Sequence, residues 1–170
     1  DQAEAGPRRL ADDVGAHQVP LVEGGAEDGA ETDGADEPRQ DPPLTEKGSL
    51  RSQELARILG NAKIKAIITS QFLRTKQTAE PTSKLSSVPV TSISLSLNPA
   101  NPRQIAEAST AEVTNKILQQ AGGSVLVVGH SNSIPDVIKM LGGDVSPVID
   151  EKKFDDLFVV TVYGKGKAKV

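Results

Sequence analysis

Four apolar residues in a row, Val125-Leu126-Val127-Val128, run into Gly129 and His130, and apolar positions then recur at Ile134, Val137, Ile138 and Leu141. The first pattern is that of a strand buried on both faces, the second that of an amphipathic helix closed by Gly142-Gly143. The same alternation recurs upstream. Pro42-Pro43 excludes helix just before Thr45, which is placed to cap a helix to about Leu59, with Leu55, Ile58 and Leu59 as its apolar stripe and Gly60 at its C′ position. Ile64 to Ile68 reads as a buried strand ending at Thr69-Ser70. A helix follows from about Leu73, with a kink or a split into two helices expected at Pro81. Val88 to Ser94 reads as the next strand.

Asn101-Pro102 has the form of a cap followed by an N1 proline, opening a helix to about Gln120 with Ile105, Val113, Ile117 and Leu118 inward, stopped by Gly122-Gly123. Leu157 to Val162 is the last strand. Strands alternating with helices require crossover connections, so the pattern predicts an α/β fold, a three-layer sandwich with a mainly parallel central sheet. No internal repeat is evident.

Residues 1–40 differ in character from residues 41–170. They are rich in Ala, Gly, Asp and Glu and poor in β-branched and aromatic residues, too little apolar area to offset the entropy of ordering. The chain therefore divides into a low-complexity, loosely ordered segment and a folded domain from residue 41. Within the former, Val19-Pro20-Leu21-Val22 is a candidate strand, and Pro20 suits a sheet edge.

Composition narrows the chemistry. With no cysteine among 170 residues, disulfides, thiolate catalysis and cysteine-bound zinc are excluded. A net charge of −4 and pI near 5.2 argue against a broad surface for nucleic acid or an anionic membrane. No apolar run reaches the roughly 18 residues of a membrane span. The chain reads as soluble, cytoplasmic by default, with an exported form whose signal peptide has been removed as the alternative. Of the two histidines, only His130 follows a strand and precedes a helix.

In open α/β sheets, ligands gather at the carboxyl ends of strands, beside helix N-termini that favour anions. Two segments have that position: Ser70-Gln71-Phe72-Leu73-Arg74-Thr75-Lys76-Gln77-Thr78-Ala79 and Gly129-His130-Ser131-Asn132. The guanidinium of Arg74 suits bidentate contact with phosphate oxygens. Arg74, His130 and Ser131 are thus the phosphate-binding candidates. Gln77, Thr78 and Ala79 read as packing positions, Asp136 as a solvated first-turn carboxylate, and Glu107 as surface. A serine-hydrolase elbow at residues 129–133 is excluded, because Ser133 stands where glycine is required and no histidine follows Ser131.

Leu44-Thr45-Glu46-Lys47-Gly48, the Arg-Thr-x-Gln-Thr-Ala core of Ser70–Ala79, Val125–Asn132 and Leu141-Gly142-Gly143 together resemble the histidine phosphatase (phosphoglycerate mutase-like) superfamily, most nearly its small bacterial members, over about residues 41–162. The resemblance implies phosphoryl transfer through a phosphohistidine, with a phosphorylated small molecule or phosphoprotein as partner and no metal cofactor. It implies catalytic roles for Arg74 and His130, as the family's second arginine and second histidine. The family's attacking histidine stands in an Arg-His pair after the first strand. That pair is not present here: Leu21-Val22-Glu23-Gly24-Gly25-Ala26-Glu27 occupies the place. His17 lacks a preceding arginine and reads as a solvated residue. The loop Leu97-Asn98-Pro99-Ala100-Asn101 offers amides where a proton donor would stand, and amides are not general acids at neutral pH. Two functions follow: phosphatase-type hydrolysis of phosphomonoesters or phosphohistidine, preferred over mutase chemistry because so compact a chain has little material for a lid, or a catalytically inactive phosphate-binding or interaction domain.

Overall fold

The structure, a computed structural model, describes residues 17–23, 41–120, 122–150 and 154–170. The elements run in the order β1 (His17–Glu23), α1 (Glu46–Leu59), β2 (Ile64–Ser70), α2 (Leu73–Ser86), β3 (Val90–Ile93), β4 (Leu97–Asn98), β5 (Asn101–Ile105), α3 (Glu107–Leu118), β6 (Ser124–Gly129), α4 (Ile134–Leu141), β7 (Leu157–Gly164) and β8 (Lys167–Lys169). Six strands form one sheet in the order β3-β2-β6-β1-β7-β8, and β4 pairs with β5 as a separate hairpin. β3, β2, β6 and β1 are mutually parallel; β7 and β8 are antiparallel to their neighbours. The sheet is therefore mainly parallel, as the alternating pattern requires.

Period-two alternation sorts side chains between the two faces. Val125 and Val127 of β6 join Val19, Leu21 and Ile68 on one face, under Val113 and Ile117 of α3 and Ile134, Val137, Ile138 and Leu141 of α4. Leu126 and Val128 join Val22 and Ile67 on the other, under Leu55 and Leu59 of α1 and Ala79 of α2. All six residues of β6 are buried, which accounts for its unbroken apolar run. At about 1.5–3 kcal/mol for each fully buried aliphatic side chain, this strand anchors both layers.

Several local expectations change. β1 lies inside the sheet, between β6 and β7, rather than at its edge. The ladder to β6 begins at Leu21, one residue beyond Pro20, so this pairing does not call on the donor that proline lacks. The looseness expected of the rest of residues 1–40 lies outside the described residues. α2 is one helix through Pro81, neither split nor replaced by two. Asn101-Pro102 opens no helix: the Asn98 side chain accepts from Ala100 N–H at 2.9 Å and that of Asn101 from Arg103 N–H at 3.2 Å. These short side-chain turns build the β4–β5 hairpin, and α3 starts only at Glu107. Ile105 is buried, from a strand rather than from a helix.

α1 starts as expected, with Thr45 Oγ1 accepting from Gly48 N–H at 3.2 Å. It ends differently: Gly60 is right-handed, and the left-handed residue is Lys63. Ile58 is exposed rather than inward. The strand expected from Val88 to Ser94 shortens to Val90–Ile93. β7 extends to Gly164 and β8 was not foreseen. Gly142 does end α4 with φ +90°, and a Cβ there would meet the Gly166 backbone at 2.2 Å.

Candidate functional site

Parallel strands deliver their following loops to one edge of a sheet, and β2 and β6 are hydrogen-bonded neighbours. Ser70 closes β2, the turn Gln71-Phe72 follows, and Arg74 is the second residue of α2. Gly129 closes β6, and His130 begins the turn that leads into α4. Position 129 is tight: a Cβ there would come within 2.9 Å of Ser133 Oγ and 3.0 Å of Ile134 Cδ1, so these side chains would have to shift. Ser133 Oγ accepts from His130 N–H at 3.1 Å, while Ser133 and Ile134 N–H donate to the His130 carbonyl at 2.9 and 3.0 Å. The backbone of His130 is thereby fixed from both sides.

The two candidate side chains meet. Arg74 Nη2 is 3.4 Å from His130 Nδ1. Phe72 lies beside both, with the Arg74 guanidinium 4.5 Å from its ring centroid and the His130 ring edge-on at 5.3 Å and 85°. A cation over an aromatic face and an edge-to-face ring pair hold this cluster together without further charge. On its far side, His130 Nε2 is 2.9 Å from Ser70 Oγ. Ser131, the third candidate, is half-buried one residue further along the turn.

Asp41 supplies the one carboxylate in contact with this cluster among the described residues. It lies 3.6 Å from Arg74 Nη1 and accepts from Leu73 N–H at 2.5 Å. α2 has no side-chain cap of its own and no acid in its first turn, so Asp41, 32 residues earlier, serves as its cap and counter-charge. One amide of that helix N-terminus, counted above as open to an anion, is therefore already occupied. Gln77, expected only to pack, receives Leu44 N–H at 2.7 Å and ties the segment from Asp41 to Leu44 onto α2.

Burial pushes the pKa of His130 down to about 4; Arg74 adds to the fall and Asp41 opposes it. Burial also lowers the pKa of Arg74, against the pull of Asp41. At neutral pH the site thus pairs a guanidinium cation with an uncharged imidazole.

The hairpin borders this site. Asn132 Nδ2 donates to the Arg103 carbonyl at 3.1 Å, and Gln71 bonds both backbone groups of Leu95, donating at 3.1 Å and accepting at 2.9 Å. Glu107 and Asp136 are exposed, as expected. His17 opens β1, and its side chain, like that of Glu23, lies outside the described residues. Among the described residues no group of three or more His, Asp or Glu is placed to hold a metal ion, and no helix is long and apolar enough to cross a membrane. A cavity of about 220 Å³ lies a short way off, between α1 and the start of β7, lined by Val22, Leu44, Leu55, Ile58, Phe154 and Leu157 among others.

The model of the histidine phosphatase superfamily (branch 1) matches residues 29–94, which carry Arg74. Over those residues the chain is similar to this superfamily. Solved structures with this fold include YhfR of Bacillus stearothermophilus, with 17% identity and TM-score 0.63 over 85% of this chain and 90% of that one. They also include the putative phosphohistidine phosphatase SixA of Nakamurella multipartitia, with 19% identity and TM-score 0.58 over 89% and 88%. A mycobacterial glucosyl-3-phosphoglycerate phosphatase aligns at 14% identity and TM-score 0.55 over 86% and 89%. None of the curated protein sequences matches. At these identities the solved structures establish the fold alone.

Glu23 pairs with Gly129, the residue before His130. The segment after Glu23, where the resemblance would have an Arg-His pair, lies outside the described residues.

Proposed function

We propose that this chain takes the phosphoryl group of a phosphomonoester or a phosphohistidine at the carboxyl edge of β2 and β6, and that its activity is of the phosphatase type. The observation that carries this reading is the 3.4 Å approach of Arg74 Nη2 to His130 Nδ1 from two neighbouring parallel strands. A guanidinium has donors to spare for two oxygens of one phosphoryl group while a third is held by the neighbouring imidazole. Ser131, on the same turn as His130, adds a hydroxyl. An arriving dianion favours the protonated imidazole, so binding draws a proton onto His130 and the pair becomes two cations around one phosphoryl group. Hydrolysis is preferred to mutase chemistry, because a mutase must shield its phosphorylated intermediate from water.

A second reading has its own observation. Glu23, which pairs with Gly129, is followed in sequence by Gly24-Gly25, and glycine has no side chain with which to form a bond to phosphorus. On this reading the crevice binds a phosphoryl group and releases it unchanged. Turnover of a generic aryl phosphate, together with a search for an acid-labile, base-stable phosphoenzyme, separates the two. Turnover with such an intermediate supports the phosphatase. Phosphate binding with neither result supports the non-covalent binder, and failure to bind phosphate or vanadate at all removes both.

A further inference from the structure

We propose that Ser70 and Thr75 form a hydroxyl relay that fixes the tautomer of His130, holding the ring proton on Nε2 and turning the Nδ1 lone pair toward Arg74. Its functional consequence rests on the phosphoryl-site reading; the tautomer itself does not.

The argument is a count of hydrogens. A threonine hydroxyl has one proton, and Thr75 Oγ1 lies 2.8 Å from the Phe72 carbonyl and 3.3 Å from that of Ser70. Both are pure acceptors, so the Thr75 proton is committed to a carbonyl. Thr75 Oγ1 is also 2.9 Å from Ser70 Oγ. With its own proton spent, Thr75 accepts there, and Ser70 is the donor. That spends the Ser70 proton. Ser70 Oγ is in turn 2.9 Å from His130 Nε2 and 3.4 Å from Phe72 N–H. It accepts both, so Nε2 carries the ring proton. With the Thr75 proton on a carbonyl, the reverse assignment, Ser70 donating to Nε2, would leave two hydroxyl oxygens 2.9 Å apart in a buried place with no proton between them.

The opposite side of the ring agrees independently. Arg74 Nη2 is a donor and never an acceptor, and it faces Nδ1. A proton on Nδ1 would set donor against donor, whereas a lone pair there accepts. Burial keeps the imidazole uncharged near neutral pH, so one tautomer must be chosen, and both neighbours choose the same one. Ser70 and Thr75 are themselves buried, so water does not compete for these bonds.

The relay makes Nδ1 the atom that meets a ligand and the atom that takes up a proton when an anion arrives. Nε2–H stays on Ser70 throughout and keeps the ring from turning. Ser70 and Thr75 are positioning residues: they do not touch the phosphoryl group.

The test is long-range ¹H–¹⁵N correlation on histidine-labelled full-length protein at pH 7.5, with the His17 signals identified in His17→Gln. For wild type, Nε2 of His130 should show the shift of a protonated ring nitrogen and Nδ1 that of an unprotonated one. Thr75→Val keeps the shape and removes the acceptor for the Ser70 proton, which is then free to turn to Nε2. That variant should show averaged or inverted shifts and bind inorganic phosphate about tenfold more weakly. Thr75→Ser keeps the hydroxyl and should restore both readouts, which a packing role for the Thr75 methyl would not. A proton on Nδ1 in wild type, or wild-type shifts in Thr75→Val, overturns the relay. Wild-type shifts as predicted with no response to phosphate leave the relay standing and remove the phosphoryl-site reading instead.

Discussion

Replacing His130 by Gln should flatten the acid limb of the stability curve. His130 is neutral in the folded chain with its pKa pushed from 6.5 to about 4, chiefly by burial, whereas in the unfolded chain it titrates near 6.5. Between these values the unfolded state binds the extra proton, so the contribution of His130 is present above pH 6.5 and is lost as pH falls toward 4. At about 1.36 kcal/mol per pH unit, the whole window corresponds to about 3 kcal/mol, and the loss between pH 7.5 and 4.5 to about 2.5 kcal/mol. Urea unfolding followed by far-ultraviolet circular dichroism suits a chain without tryptophan. With a urea dependence of about 2 kcal/mol per molar, the wild-type midpoint should fall by about 1 M more than that of His130→Gln over this range. Carboxylates that titrate in the same window contribute to both proteins and cancel in the comparison. Parallel pH dependence in the two proteins would refute the claim that His130 is held neutral by its surroundings.

Three other outcomes follow from named contacts. Asp41→Ala should cost about 1 kcal/mol in thermal unfolding by removing the cap of α2, while Asp41→Asn, which keeps an acceptor for Leu73 N–H, should cost less and bind phosphate more tightly for want of a neighbouring negative charge. Gly142→Ala should cost more than about 1 kcal/mol in the same assay, because φ is +90° and the new Cβ would strike the Gly166 backbone. Phosphate binding by wild type, followed by calorimetry in two buffers of different ionisation enthalpy, should show proton uptake at pH 7.5 that disappears in His130→Gln.

The layered fold was legible because its signals are strong and local: the unbroken apolar run of β6, the three-four spacing of α4 and the cap at Thr45 each specify one structure. The misread elements are those where tertiary context decides. Pro20 reads as an edge residue, yet β1 sits inside the sheet because its ladder to β6 starts one residue later. Asn101-Pro102 has the form of a helix start, but two asparagine side chains satisfy nearby backbone amides and close a hairpin first. Pro81 is carried within α2, whose buried Thr78, Ala79 and Thr82 flank it on the packed face.

At the site, Arg74 and His130 were identifiable because each follows a strand and opens a helical segment. Asp41 was not, since nothing local ties a residue before Pro42-Pro43 to a helix 32 positions later. Ser70 and Thr75 lay within the recognised motif, but their contact with the far side of the imidazole depends on how β2 and β6 are registered. Phe72 was passed over because one aromatic residue in a turn carries no periodic signal.

The central claim, that Arg74 and His130 together hold a phosphoryl group, is tested most directly by titrating inorganic phosphate and vanadate into the wild-type protein, Arg74→Ala and His130→Ala. Loss of a charge-assisted hydrogen bond costs about 1.5–3 kcal/mol, so each variant should bind at least about tenfold more weakly while remaining folded. Affinity unchanged in both variants would contradict the claim.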